Sequence, residues 1–133
     1  MKKKICIVQS VYNEFITSKL LSGAIKELKS KKIKKIKIVK VPGSFEIPIA
    51  ISKLINNYDG FIAIGCIIKG KTANFDLICS AITHGIMDLS IMYKKPITNA
   101  LITSYNKKQA LQRLGNGKEA AKAVYEVLKK IDG

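Results

Sequence analysis

Cysteine, acidic residues and long apolar runs are all scarce in this chain of 133 residues. The 3 cysteines are odd in number and show no Cys-x-x-Cys spacing, which argues against a disulfide framework and a zinc site. The longest apolar runs, such as residues 61–68, fall short of the ~20 residues that a membrane span needs. No targeting segment is recognisable. We therefore expect one cytoplasmic domain over residues 1–133, with no membrane partner and no metal.

The chain has 9 acidic residues against 24 lysines and arginines, which gives a formal net charge of +15. A charge of this size can serve a polyanion partner such as nucleic acid or an anionic membrane. Here nearly all of it is lysine spread along the chain, and aromatic residues do not interleave with the lysines as stacking platforms would. We interpret the charge as a solvated lysine-rich surface and expect no nucleic-acid partner.

The hydrophobic pattern alternates between strands and helices along the chain. Strands are predicted at residues 4–9, 35–41, 60–66 and 97–103. Helices are predicted at residues 14–29, 46–56, 75–92, 107–114 and 118–131, the last two separated by Gly-Asn-Gly at 115–117. This alternation predicts an α/β fold, a three-layer α/β/α sandwich around a four-stranded parallel sheet.

Ligands bind to such folds beyond the carboxyl ends of the strands. In this sequence those ends are residues 10–13, 42–46, 66–74 and 103–105. Residues 66–72 place a glycine, a lysine and a threonine between a strand and a helix, where free backbone N–H groups and the helix dipole favour an anion. Because the spacing matches neither the Walker loop nor the dinucleotide fingerprint, a phosphate site and an ordinary capped turn both remain possible.

Single residues at these ends also suggest binding roles. Arg113 is the only arginine, and its planar fork can bind a phosphate or carboxylate through two hydrogen bonds, although a plain surface arginine would look the same. Glu46 could accept hydrogen bonds from a polyol or a ring N–H, or serve the dipole of the following helix. Tyr12 and Asn13 could stack on and hydrogen-bond a flat ring, or simply pack in a turn. The single histidine, His84, lies far along a helix and is interpreted as structural or exposed.

Four segments together carry a family resemblance: VYNEFITSKLLSGA at 11–24, VPGSFEIP at 41–48, GCIIKGKT at 65–72 and QALQRLG at 109–115. In order and spacing they resemble the signature segments of lumazine synthases, and the resemblance covers essentially the whole chain. It implies a flavodoxin-like subunit, assembly at least into pentamers, active sites shared by two neighbours, and no cofactor. The implied reaction condenses 5-amino-6-ribitylaminouracil with 3,4-dihydroxy-2-butanone 4-phosphate to 6,7-dimethyl-8-ribityllumazine in riboflavin biosynthesis.

The resemblance implies substrate-binding roles position by position. It places Tyr12 in stacking contact with the pyrimidine, with Asn13 beside it. The ribityl chain is assigned to Ser44, Phe45 and Glu46.

The strand end and the loop after it are assigned in the same way. The backbone of Cys66, Ile67 and Ile68 is expected to bind the pyrimidine edge. The phosphate is expected to bind at Lys71 and Thr72, and at Arg113, which gives the single arginine a function.

The sequence departs from the family at two positions of the site. Asn74 stands where the family usually has its proton-transfer histidine, and an asparagine cannot exchange a proton near neutral pH. Asn99 stands where the family has an aromatic residue contributed by the neighbouring subunit. Two hypotheses follow: a working lumazine synthase, or a catalytically weakened assembly protein or flavin-binding shell of the same fold. Arg113 favours the enzyme, since a shell with no phosphate to bind does not need it.

Overall fold

The computed structural model describes residues 2–69 and 74–131. In this part of the chain, four parallel strands form one sheet in the order β2-β1-β3-β4: β1 (Lys4–Ser10), β2 (Lys35–Val41), β3 (Gly60–Ile68) and β4 (Ile97–Ser104). The helices of the same residues are α1 (Glu14–Ser30), α2 (Ile47–Leu54), α3 (Phe75–Tyr93), α4 (Lys107–Leu111) and α5 (Asn116–Ile131). A short 3-10 turn, Ser44–Glu46, precedes α2.

Two apolar cores lie on the two faces of the sheet. Ile5 and Ile7 of β1 belong to one core with α1 and α5, and Cys6 and Val8 belong to the other with α2 and α3. Alternate side chains of a strand point to opposite faces, so a strand covered on both faces is apolar throughout. The predicted α/β/α sandwich with a four-stranded parallel sheet is confirmed, and the strand order matches the first four strands of a flavodoxin-like sheet.

Several predicted boundaries were wrong. Strand β3 continues through Ile67 and Ile68, predicted as loop, because they pair with Thr103 and Ser104 of β4. The prediction for α2, residues 46–56, is replaced by a 3-10 turn and a helix that ends at Leu54.

The bounds of the last two helices, α4 and α5, also differ from their prediction. Helix α4 ends at Leu111, earlier than predicted, and α5 begins at Asn116 and includes Gly117, which was predicted as a break. Gly117 is buried where a Cβ would collide with the carbonyl group of Leu20 in α1. This glycine therefore allows two helix backbones to approach closely and does not end a helix.

Candidate active site

A cavity of about 580 Å³ opens at the carboxyl ends of the strands. This volume is within the range of small-molecule sites, about 300–1,000 Å³. The residues that line it come from the ends of all four strands and from the first turns of α3 and α4: Tyr12, Asn13, Gly43, Ser44, Phe45, Cys66, Ile67, Ile68, Ile78, Tyr105, Asn106 and Lys107. The structure thus brings together seven of the predicted substrate-binding residues, Tyr12, Asn13, Ser44, Phe45, Cys66, Ile67 and Ile68.

Asn13 joins the end of β1 to the end of β3. It occupies the N-cap position of α1 and has a left-handed backbone, with φ 57° and ψ 43°, a conformation that asparagine tolerates better than most residues. Its Nδ2 donates to the carbonyl oxygen of Cys66 at 3.0 Å. The neighbouring Tyr12 is 63% exposed, so its side chain is accessible to a ligand.

The turn Ser44–Glu46 forms one wall of the cavity. Ser44 is buried against Gly65 of β3, so closely that a Cβ on Gly65 would collide with the serine Oγ. The Phe45 ring is 62% exposed and lines the cavity. Glu46 is half-buried and does not line the cavity itself, but its Oε1 lies against Gly43, which does. The carboxylate therefore lies next to the cavity, and Glu46 directly follows Phe45, which lines it.

The end of β3 presents backbone groups to the cavity. Strand β1 pairs with β3 only as far as Ile64, while β4 pairs with β3 as far as Ile68. The β1-facing edge of β3 is thus outside the ladder from Gly65 onward, where backbone groups need another partner. Burial raises the pKa of the Cys66 thiol, so this thiol stays protonated near neutral pH and is a poor nucleophile. This arrangement suits hydrogen bonding by the backbone, as the resemblance implies.

The loop after β3 is only partly described. Lys71 and Thr72, predicted to bind the phosphate, lie outside the described residues. Asn74 precedes α3, is exposed and does not line the cavity. Its carbonyl oxygen accepts from the N–H of Ile78 at 2.9 Å, and Ile78 lines the cavity one helical turn later.

Asn99 and Arg113 do not line this cavity. Asn99 lies in a separate hollow of about 290 Å³ between α3 and the outer edge of β4, where His84 and Thr103 also lie. Arg113 donates from Nη1 to the carbonyl oxygen of Thr103 at 2.7 Å, which places the guanidinium beside this hollow. One copy of the chain therefore separates the predicted site into the cavity and a second surface, the β4 edge, defined here by Asn99, Thr103 and Arg113.

The family model for 6,7-dimethyl-8-ribityllumazine synthase matches residues 2–132. The chain belongs to this family. A 6,7-dimethyl-8-ribityllumazine synthase of Bdellovibrio bacteriovorus is 38% identical over 96% of this chain and 74% of its own length. One from Cutibacterium acnes is 35% identical over 94% of this chain and 80% of its own length.

A solved structure of a lipoprotein fragment from Peptoclostridium difficile 630 has a TM-score of 0.51 and 19% identity. The alignment covers 92% of this chain and 99% of that one. At this identity the likeness concerns the fold alone.

Three cavity residues after β4 were not predicted: Tyr105, Asn106 and Lys107. The signature segments of lumazine synthases that were recognised in the sequence do not include them. The sequence did mark residues 103–105 as a strand end, but this position alone does not say which side chains face the cavity. Two of these residues make cation–π contacts with residues that are distant in sequence. The Lys69 ammonium lies 5.0 Å from the Tyr105 ring centroid, and the Lys107 ammonium lies 4.9 Å from the Phe15 ring centroid.

Proposed function

We propose that this chain condenses 5-amino-6-ribitylaminouracil with 3,4-dihydroxy-2-butanone 4-phosphate, giving 6,7-dimethyl-8-ribityllumazine, inorganic phosphate and water. The observation that carries the proposal is the convergence of three family segments on one cavity of about 580 Å³ at the strand ends. Family membership supports the reaction and its place in riboflavin biosynthesis. The substrates are small molecules, and the reaction requires no cofactor.

The pyrimidine substrate occupies the cavity. Tyr12 stacks on its ring, and the end of β3 beyond its ladder with β1 binds the polar groups at the ring edge, beside the Asn13 amide that already donates to the Cys66 carbonyl oxygen. The ribityl chain extends toward the turn Ser44–Glu46, where Glu46 accepts hydrogen bonds from its hydroxyls. An ionised carboxylate is an acceptor only, so it suits a chain that carries several O–H donors.

The sugar phosphate is anchored by Arg113. A guanidinium can bind two phosphate oxygens at once, whereas every other basic side chain here except His84 is a lysine, which binds as a point charge. Holding an amine against a ketone makes a two-body reaction effectively intramolecular, and this positioning accounts for most of the catalysis. No imidazole is present at Asn74, so proton transfer there falls to water or to the substrate phosphate.

The site is completed between two copies of the chain, in a homopentamer or a larger shell. Arg113 lies on the β4 edge and not in the cavity, and this position supports a site to which a neighbouring copy contributes the guanidinium. An exposed apolar face of α3 supplies contact area: its Leu77, Met87, Ile91 and Met92 side chains are 55–70% exposed. Large exposed apolar patches commonly mark protein–protein interfaces.

The same helix, α3, is long and apolar enough to cross a membrane by length and composition alone. One face of it packs on the sheet through Ile82 and Ile86, and it carries Asp76 and Asp88, which are costly inside a bilayer. We therefore assign its exposed face to contacts between copies. The protein acts in the cytoplasm, without nucleic-acid or membrane partners.

The direct test mixes both substrates with purified protein and follows lumazine fluorescence and phosphate release. The proposed enzyme produces both above the uncatalysed rate, in equal amounts. The second candidate, a weakened flavin-binding shell, is favoured by Asn74 and Asn99. An assembled protein that binds the lumazine product but does not accelerate its formation would establish that second candidate.

Replacement of Arg113 by lysine keeps the charge and removes the fork. We expect Arg113→Lys to lower kcat/KM for the sugar phosphate by about tenfold, the cost of about one charge-assisted hydrogen bond, and to leave the KM of the pyrimidine nearly unchanged. Steady-state kinetics with each substrate varied in turn measures the difference. Equal losses for both substrates would show that Arg113 does not select the phosphate.

Replacement of Glu46 by glutamine turns part of an acceptor into a donor that faces hydroxyls. We expect Glu46→Gln to raise the KM of the ribityl substrate by about tenfold, with little change for the sugar phosphate. Glu126→Gln on the exposed surface of α5 is the control, because Glu126 contacts Lys130 and not the cavity. An effect confined to the sugar phosphate would mean that the two substrates are placed the wrong way round.

A further inference from the structure

Tyr105 is an aromatic residue of the cavity with no role assigned so far. It directly follows β4, its side chain is 64% exposed, and it lines the same cavity as Tyr12. An exposed tyrosine in a cavity offers a flat apolar surface to a ligand.

The turn that carries Tyr105 is held by side-chain hydrogen bonds. The N–H of Tyr105 donates to Oε1 of Gln109 at 2.9 Å, and the N–H of Gln109 donates to Oδ1 of Asn106 at 2.9 Å. Ser104 Oγ donates to the carbonyl oxygen of Asn106 at 2.9 Å. The Lys69 ammonium, 5.0 Å from the Tyr105 ring centroid, holds the ring toward the end of β3 by a cation–π contact. The backbone of the turn that carries the ring is thus fixed before a ligand binds.

The strand order places Tyr12 and Tyr105 on the two sides of β3. Tyr12 follows β1 and Tyr105 follows β4, and these are the two neighbours of β3 in the sheet. Two strand spacings of about 4.8 Å separate β1 from β4 by about 10 Å. A flat ring stacked between two aromatic side chains needs two centroid distances of about 4.5–7 Å each. The separation is enough for one planar heterocycle bound to the end of β3.

We propose that Tyr105 is the second aromatic wall of the pyrimidine site and that it replaces, from within the same subunit, the aromatic ring that is absent at Asn99. This inference rests on the proposed function, because it assumes that the pyrimidine ring binds to the end of β3. Asn99 does not line the cavity, and its Oδ1 accepts from the N–H of Leu101 at 2.6 Å. One subunit therefore holds the pyrimidine between Tyr12 and Tyr105, while the neighbouring copy supplies Arg113.

The test compares Tyr105→Ala and Tyr105→Phe in the assembled protein, by titration of 5-amino-6-ribitylaminouracil and by steady-state kinetics with each substrate varied. Tyr105→Ala is expected to raise the Kd and KM of the pyrimidine about tenfold and to leave the KM of the sugar phosphate within about twofold. Tyr105→Phe keeps the ring and is expected to have the Kd and KM values of the wild-type protein. Tyr125→Ala is the control, because Tyr125 also contacts lysine ammonium groups, at 5.7 and 5.8 Å, but does not line the cavity.

Several results would overturn the role of Tyr105 alone. These are an unchanged pyrimidine Kd in Tyr105→Ala, a loss in Tyr105→Phe equal to that in Tyr105→Ala, and equal losses for both substrates, while the wild-type protein still forms lumazine. A wild-type protein that neither forms lumazine nor binds the pyrimidine would contradict the proposed function, and the role of Tyr105 with it. Because Tyr105 is exposed, both variants are expected to fold.

Discussion

Replacement of Asn74 by histidine is expected to raise the rate of condensation by about 10²-fold, the lower end of what a general acid–base contributes. An imidazole with a pKa near 6.5 can accept and donate protons at working pH, whereas an amide cannot. The Asn74 side chain is exposed and makes no capping hydrogen bond to α3, so the replacement removes no native contact of that kind. Pre-steady-state and steady-state rates between pH 6 and 8, about where a histidine titrates, measure the gain.

The substrate KM values are expected to change little in Asn74→His, because proton transfer affects the transition state more than binding. If the folded and assembled variant is no faster at any pH in that range, proton transfer at this position does not limit the reaction. Adding Asn99→Phe then tests the stacking separately. If Tyr12 and Tyr105 already cover both faces of the pyrimidine, the added ring leaves the pyrimidine Kd nearly unchanged, whereas a clearly lower Kd would show that one face was uncovered.

Replacement of Gly65 by alanine is expected to lower both stability and activity, because Gly65 packs under the turn that forms one wall of the cavity. The added Cβ would collide with Ser44 Oγ and lie 2.7 Å from Leu101 Cδ2, in the buried part of β3. Overpacking of this kind costs about 1–3 kcal/mol of unfolding free energy. It also displaces the turn Ser44–Glu46, and a shift of about 1 Å in a positioning element can lower activity about 10²-fold.

Thermal unfolding and kcat/KM of Gly65→Ala measure the two parts of this effect. Gly115→Ala is the matched control, because a Cβ at Gly115 meets nothing within 4 Å. The contact would be unimportant if Gly65→Ala were as stable and as active as Gly115→Ala.

The fold was largely predictable because it follows from periodicity that is local in sequence. Runs such as β3 are apolar throughout, and only a central strand covered on both faces needs that pattern. The predicted ends of helices and strands were wrong where a contact with a residue distant in sequence determines the local structure. Gly117 is helical because the backbone of Leu20 lies against it, and neither local propensity nor the Gly-Asn-Gly pattern contains that contact.

The residues that meet at the cavity were predictable where family segments match, as at Asn13, Ser44 and Cys66. The separation of Asn99 and Arg113 from the cavity depends on which edge of the sheet β4 occupies. Periodicity predicts that the strands are parallel but not their order. Tyr105 escaped prediction for the same reason, since its place on the other side of β3 from Tyr12 follows from the strand order β1-β3-β4.

In the proposed assembly, the cavity of one copy and the Arg113 of another form one lumazine-forming site. The most direct test co-expresses Gly65→Ala, which damages the cavity and keeps the guanidinium, with Arg113→Ala, which keeps the cavity. In randomly mixed rings about a quarter of the sites are wild type, because each site of a heterologous ring draws on two copies. We expect the mixed assembly to form lumazine at about that fraction of the wild-type rate, well above either variant alone. A mixed assembly no more active than the average of its two parents would contradict it.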